Sequence, residues 1–552
     1  MLKIVLKTYL IIILLVFLSA CGGSDSESPP SSTPPTPLQP KDVARFLNHA
    51  SFGADMETVE KIINSDYSSW LDQQILLPAS SHVEYLTNLE TTLNLSPDET
   101  LQRKHRMEAW FQHTITAPDQ LRQRVAFALS EIFVVSEKSN FGDDTYGIAN
   151  YYDLLVNNAF GNYRDLLEQV TLSPIMGMYL SMLGNEKPNN DKNIRPDENY
   201  AREVLQLFSI GLVELNLDGS IKIQGGQSIS TYDQNLIKAF AHVFTGWNFN
   251  GTTNKTWWQF NRNYNSMEPM TAVPDFHDMN EKILFNDTII TANQTPEQDL
   301  TQALDNIFNH PNVGPFISKQ LIKKLVTSNP SADYVERISR VFNDNDQGVR
   351  GDLAAVVKAV LLDDEALNGA EKNPKSFGKI REPILRAVHL WRTFSASSPN
   401  GRLQFNWPDY FFGQAPLAAH HVFNFFSPNY APPGIVSENN LIAPELEIIT
   451  ENYLTRTNNF FAYSTLWGHT EADENNADDR ILIDLASLKP MADDIEALLD
   501  YFDILLLGGT MDDDMRAILT SAYQQNSDAP EDERLSNLLF LVMVSPQYIV
   551  QR

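Results

Sequence analysis

The side chains best suited to chemistry fall in two stretches. Within Glu-Asn-Tyr-Ala-Arg-Glu-Val-Leu-Gln-Leu-Phe-Ser-Ile-Gly (198–211), Arg202 offers an anion clamp, and Glu203 a carboxyl for acid–base or ligand work. Further on, in the least regular part of the chain, His277 and Asp278 are adjacent, with Lys282 behind them. A His beside a carboxylate can act as a general base or metal ligand, and loops often carry function. Taken together, Arg202, Glu203, His277 and Asp278 would suit a hydrolase. The structural alternative is as concrete: an ion-pair and hydrogen-bond network that fixes a helix, and a His that caps a turn. A third set, Trp247, Trp257 and Trp258, could stack on sugar rings or close a small core beneath a long loop. There is no H-E-x-x-H, EF-hand loop or G-x-S-x-G, and the acidic loops at 143–144 and 191–197 match no calcium-ligand spacing. Cys21 is the only cysteine, which excludes internal disulfides, Cys-based zinc sites and iron–sulfur clusters. No metal ligands and no cofactor are expected.

These residues need elements to hold them. Asp197 to Leu212 reads as the clearest helix. Ala201, Val204, Leu205, Phe208 and Leu212 form its apolar stripe, with Asn199, Glu203 and Gln206 opposite. Glu198 and Arg202 lie one turn apart in the favourable acid-first order. Helical periodicity also marks 98–116 and 121–134, the latter with Asp119 as its expected N-cap. Arg122 and Arg124 are placed to pair with Glu131. Gly219 to Tyr232 reads as a hairpin or long loop. Residues 248–293 read as a polar, aromatic-rich insertion with short strands near 283–285 and 288–290. The stretch 402–433 should be irregular, with Phe411, Phe412, Phe423, Phe425, Phe426 and Tyr430 as a buried aromatic layer around His420 and His421. The expected fold is mostly α: a large multi-helix domain over 41–552 with a small irregular or β-hairpin insertion and a C-terminal subdomain from about residue 462.

The 552 residues are 43% hydrophobic, enough for a substantial core, and carry a net charge of −29. Such acidity repels phosphate backbones and argues against nucleic acid as a partner. At the N-terminus, Lys3 and Lys7 precede a nearly continuous apolar run from Tyr9 to Leu18, too short for a comfortable membrane span. It ends in Leu18-Ser19-Ala20-Cys21, which resembles the lipobox of bacterial lipoproteins. Residues 1–20 are therefore expected to be a signal peptide, and Cys21 the lipidated new N-terminus. Several acyl chains, palmitate among them, anchor a protein stably. Residues 22–40 are rich in Ser, Pro and Thr and form the expected tether. Gly22 after the Cys favours, by the same resemblance, an outer-membrane lipoprotein facing the periplasm or the cell surface.

Several segments together resemble a known family. They are Ala-Arg-Phe-Leu-Asn-His-Ala-Ser-Phe-Gly (44–53), Leu-Arg-Gln-Arg-Val-Ala-Phe-Ala-Leu-Ser-Glu-Ile-Phe (121–133) and the 198–211 segment. Phe-Thr-Gly-Trp (244–247), His-Asp-Met-Asn-Glu-Lys (277–282) and Arg-Glu-Pro (381–383) follow in order. This order and spacing is similar to the bacterial family called domain of unknown function 1800. The resemblance implies an exported, mostly helical protein. It also implies a partner, the exported domain of unknown function 1501 family, whose genes often stand beside this one and which looks like the alkaline phosphatase and sulfatase fold. The expected function is that of a membrane-anchored lipoprotein that binds or helps process an extracellular polymer or a partner protein. The alternatives are the hydrolase outlined above and an assembly protein of the envelope.

Overall fold

The computed structural model describes residues 37–96, 98–470 and 477–552. The expected signal peptide, Cys21 and most of the tether lie outside the described residues. Residues Gln39–Arg552 form one compact unit. It is mostly α, and the strands described are four two-stranded antiparallel pairs. The last of these joins Lys379–Ile380 to Val550–Gln551, so the end of the chain is bonded to its middle. Residue 462 lies within the helix Glu451–Leu466. Among the described residues, no helix is long and apolar enough to cross a membrane.

Much of the acidity serves the helix starts. Asp55 accepts from the backbone N–H of Thr58, Asp66 from Ser69, Asp233 from Leu236 and Asp352 from Ala355. Such caps satisfy N–H groups that have no partner within the helix. Asp119 does not cap its helix, Gln120–Ser130. Its carboxylate instead accepts from the Ser80 N–H at 3.0 Å and the Ser80 hydroxyl at 2.7 Å, tying that helix to the loop before His82.

The helix expected over 197–212 is shorter, Asn199–Gln206. Two local causes end it. The Ser209 hydroxyl donates to the Val204 carbonyl at 2.5 Å, and the N–H groups of Ile210 and Gly211 both turn back to Leu205 O at 3.0 Å. Leu212 thereby leaves the stripe and is 56% exposed. The next segment is the expected hairpin: Ile223–Gln224 pairs with Gln227–Ser228 across Gly225 and Gly226, both at positive φ. In the insertion, Lys282–Ile283 pairs with Ile289–Ile290, close to the strands expected there.

A buried aromatic layer joins the C-terminal helices to the rest. Phe405 stacks on Phe460 with ring centres 5.3 Å apart, and Phe412 and Trp391 close around Phe460. Phe412 and Phe426 are core, as expected, but Phe423, His420 and His421 are exposed. A turn closed by the Asn424 N–H on the His421 carbonyl at 3.1 Å, with Asn424 at φ 73°, separates these exposed residues from the buried Phe426.

Candidate functional site

The segments that carry the family resemblance converge in space, in three groups. The first joins 244–247 to 277–282. Gly246 (φ 85°) lets the chain pass against His277; a Cβ there would lie 2.9 Å from both the His277 backbone N and its Cβ. His277 is fully buried, and its ring nitrogens face two acceptors: Thr245 O at 2.8 Å and Asp299 Oδ2 at 3.0 Å. Lys282 Nζ donates to the same Asp299 oxygen at 2.6 Å and to the carbonyls of Asp278 and Asn280. Asp278 points elsewhere, accepting from His242 Nδ1. Burial opposes its charge, but the bonds from His242 and the Asn280 N–H outweigh that and hold its carboxyl down at about 2. This is a sealed polar knot that fastens the insertion to the helix Pro296–Phe308.

Arg202 and Glu203 belong to a second group. Arg202 is largely exposed and pairs with Glu198 at 3.3 Å, as the one-turn spacing predicts. Gln234 donates to the same Glu198 oxygen at 2.6 Å. Glu203 is buried on the other face beside Tyr179 and Tyr232, and that burial raises its carboxyl above the usual range. Among the described residues, Glu203 shares no hydrogen bond and no bonding partner with His277 or Asp278. The quartet sits in separate networks. Of the three tryptophans, Trp247 and Trp257 are buried. Trp257 lies flat on Phe276, with ring centres 4.0 Å apart at 7°, and so serves as core. Trp258 alone is presented to solvent, at 61% exposure.

The third group joins 44–53, 121–133 and 381–383 around a cluster of buried charge. Lys379, fully buried, holds Glu445 at 3.2 Å and Glu382 at 3.6 Å. Glu382 accepts from Gln414 at 2.5 Å. Glu131 accepts from Asn424 at 2.8 Å and lies 3.5 Å from Lys324. Arg124 adds its charge and donates to Lys324 O at 2.7 Å. Arg122, expected to pair with Glu131, instead donates to the carbonyls of Ile75 and Leu77.

The two central carboxyls divide their roles. Burial pushes Glu131 up to about 8, and the Glu382 charge adds to this while Lys324 and Lys379 offset part of it. Burial works on Glu382 too, but Lys379, Lys324, Gln414 and Arg124 prevail and hold it below the usual carboxylate range. The two carboxyls therefore titrate as a pair, with burial favouring the neutral form of Glu131 and the surrounding cations favouring the charged form of Glu382. Deeper still, Arg381 Nη1 donates to His389 Nδ1 at 2.8 Å. His389 Nε2 therefore carries the ring proton and donates to Leu505 O at 3.2 Å.

Over this cluster opens a large cleft of about 1160 Å³. The turn Ser51–Gly53 separates the two: Ser51 and Gly53 line both the cleft and a cavity of about 10 Å³ that touches Arg124, Arg381 and His389. Only glycine fits at position 53, where a Cβ would meet His389 Cδ2 at 2.4 Å. Arg392 braces the cleft floor, donating to Gly53 O at 3.1 Å, Ile115 O at 2.9 Å and Asp55 at 3.3 Å. The lining mixes neutral hydrogen-bonding groups, among them Gln73, Gln74, Ser395 and Ser487, with apolar side chains and with charges of both signs, Asp55, Glu57, Lys61, Arg392 and Asp484. Among the described residues, no group of three or more His, Cys, Asp or Glu side chains could hold a metal ion.

None of the cleft residues was nominated from the sequence. They come from five separated stretches with no common spacing. Lys379 and Asp299 gave no local signal either, since a buried cation or carboxylate is recognised only by what packs around it. No curated protein and no solved structure matches the chain. The family model described as a protein of unknown function, DUF1800, matches residues 45–550, and the chain belongs to that family.

Proposed function

We propose that this is an exported lipoprotein, anchored through Cys21, that binds an extracellular polymer in the cleft above the Ser51–Gly53 turn. The observation that carries the reading is the size and lining of that cleft. At about 1160 Å³ it exceeds what a small ligand fills, and it is open along the surface. Its Gln, Ser and Thr side chains can trade hydrogen bonds with the hydroxyls and amides of a polymer, and its charged side chains are of both signs, so the lining selects neither an anionic nor a cationic chain. Tyr501, half-buried at the cleft, supplies an apolar face for the same chain. The residues offered for hydrolysis take no part in this reading. A partner of the domain of unknown function 1501 family would then act on polymer that this protein holds.

Two measurements test it. Replacing Cys21 with Ser should move the protein from the membrane fraction to the soluble one; retention in the membrane would remove the lipid anchor from the proposal. Replacing Gln73 and Tyr501 together with Ala should weaken co-sedimentation with insoluble cell-envelope polymer by about tenfold or more, an effect of about 1.4 kcal/mol. Both side chains lie at the cleft surface, so the melting temperature should stay level. Unchanged co-sedimentation would overturn the assignment of the cleft.

A further inference from the structure

A second cavity, of about 430 Å³, lies where the chain leaves the helix Asn199–Gln206 and packs against the helix Val313–Leu325. Its character is opposite to that of the cleft. The walls are apolar: Leu207, Ile210, Leu215, Ile221, Phe316 and Phe423. Leu212, Ile221 and Phe423 remain well exposed at its rim, so the apolar surface continues outward rather than closing.

Among the described residues, the only charged groups lining it are Lys319 and Lys323, one turn apart on the same helix face as Phe316. Neither has a carboxylate within ion-pairing distance among the described residues. Lys323 Nζ is held by Pro428 O and Asn429 Oδ1, and Lys319 Nζ reaches only Gly219 O at 3.4 Å. In a chain of net charge −29, two neighbouring cations in a cavity without a paired anion are conspicuous. A buried cation normally requires a partner.

We infer that this cavity binds a single-chain amphiphile, with its alkyl or acyl chain along the apolar walls and its anionic head against Lys323 and Lys319. The reading is independent of the polymer cleft, and the two cavities share no lining residue. Charge complementarity selects the head, and the volume falls in the range for one small ligand, roughly 300–1,000 Å³. Burial lowers the Lys323 ammonium to about 7, with Lys324 and Lys319 adding to the effect. The other groups facing it are Glu445, which opposes the shift but is itself held by Lys379, and Lys379, which adds to it. Asp218 acts on Lys319. A bound anion supplies the missing partner and favours the protonated amine.

The test is titration calorimetry on the full chain carrying Cys21→Ser, so that no acyl group of its own competes. The probes are decanoate, decyl phosphate, 1-decanol and decyltrimethylammonium. Decanoate or decyl phosphate should bind at least about tenfold more tightly than decanol, and the cation more weakly still. The tighter of the two anions identifies the head as carboxylate or phosphate. Lys323→Met keeps the apolar stem and should erase the preference for an anion while decanol binding persists. Leu212→Asp, at the exposed rim, should weaken both anion and alcohol. Anion affinity should fall as pH rises from about 6 to about 9, as the Lys323 proton is lost, while decanol affinity stays level. Equal binding of decanol and both anions, an unchanged preference in Lys323→Met, or no binding of any probe at about 1 mM would each overturn the proposal.

Discussion

Replacing Lys379 with Met should destabilise the protein by about 3–5 kcal/mol at neutral pH, the usual cost of removing one partner from a buried ion cluster. Lys379 is the fully buried cation that pairs with both Glu382 and Glu445, and without it two buried carboxylates lose the cation they share. The change at Glu131 should look different. The Glu131 carboxyl is raised by burial above its unfolded value of 4.5, to about 8. A raised group stabilises the fold fully below the unfolded value, and that contribution is lost as pH rises through the folded one. Stability should therefore decline between about pH 5 and about pH 8. Glu131→Gln mimics the protonated form and should flatten that decline while changing stability little at the acid end. Urea midpoints for wild type, Lys379→Met and Glu131→Gln at several pH values read all three effects. A Glu131→Gln variant that keeps the wild-type slope would show that Glu131 is not the group behind the decline.

The contrast between these residues explains what the sequence could reveal. Features set by neighbours in the chain were readable. Gly225-Gly226 marks a hairpin because only such residues adopt two successive positive φ angles cheaply, and the hairpin is there. Glu198 and Arg202 pair because four residues make one helical turn. Features set across the fold were not readable. Glu131 and Glu382 are 251 positions apart, and nothing near either of them announces the other. The helix after Asp197 misled for a related reason: the apolar stripe runs on to Leu212, but Ser209 and Gly211 offer the backbone other bonds and stop it. Trp257 and Trp258 are adjacent in sequence, yet one is core and one is surface. Their burial depends on Phe276, which the chain brings back nineteen residues later. The resemblance-bearing segments did mark the buried network, since two of them, 121–133 and 381–383, supply Arg124, Glu131, Arg381 and Glu382. What could not be inferred was that these residues would lie beneath a cleft lined by unremarked Gln and Ser.

The knot around Asp299 offers the sharpest separation of architecture from chemistry. Asp299→Ala should destabilise the protein by about 3–5 kcal/mol. It strips Lys282 and His277 of the carboxylate they share, at 2.6 and 3.0 Å, where neither can reach solvent. Arg202→Ala, by contrast, removes an exposed pair and should cost no more than about 1 kcal/mol. If His277 were a general base, His277→Gln would abolish a reaction while leaving the urea midpoint in place. The geometry predicts the reverse. His277→Gln should lower the midpoint, since no amide reproduces both bonds to Thr245 O and Asp299, and polymer co-sedimentation of the folded fraction should be unchanged because the knot contributes no residue to the cleft. A variant that keeps its stability and loses binding would move the functional site from the cleft to the insertion.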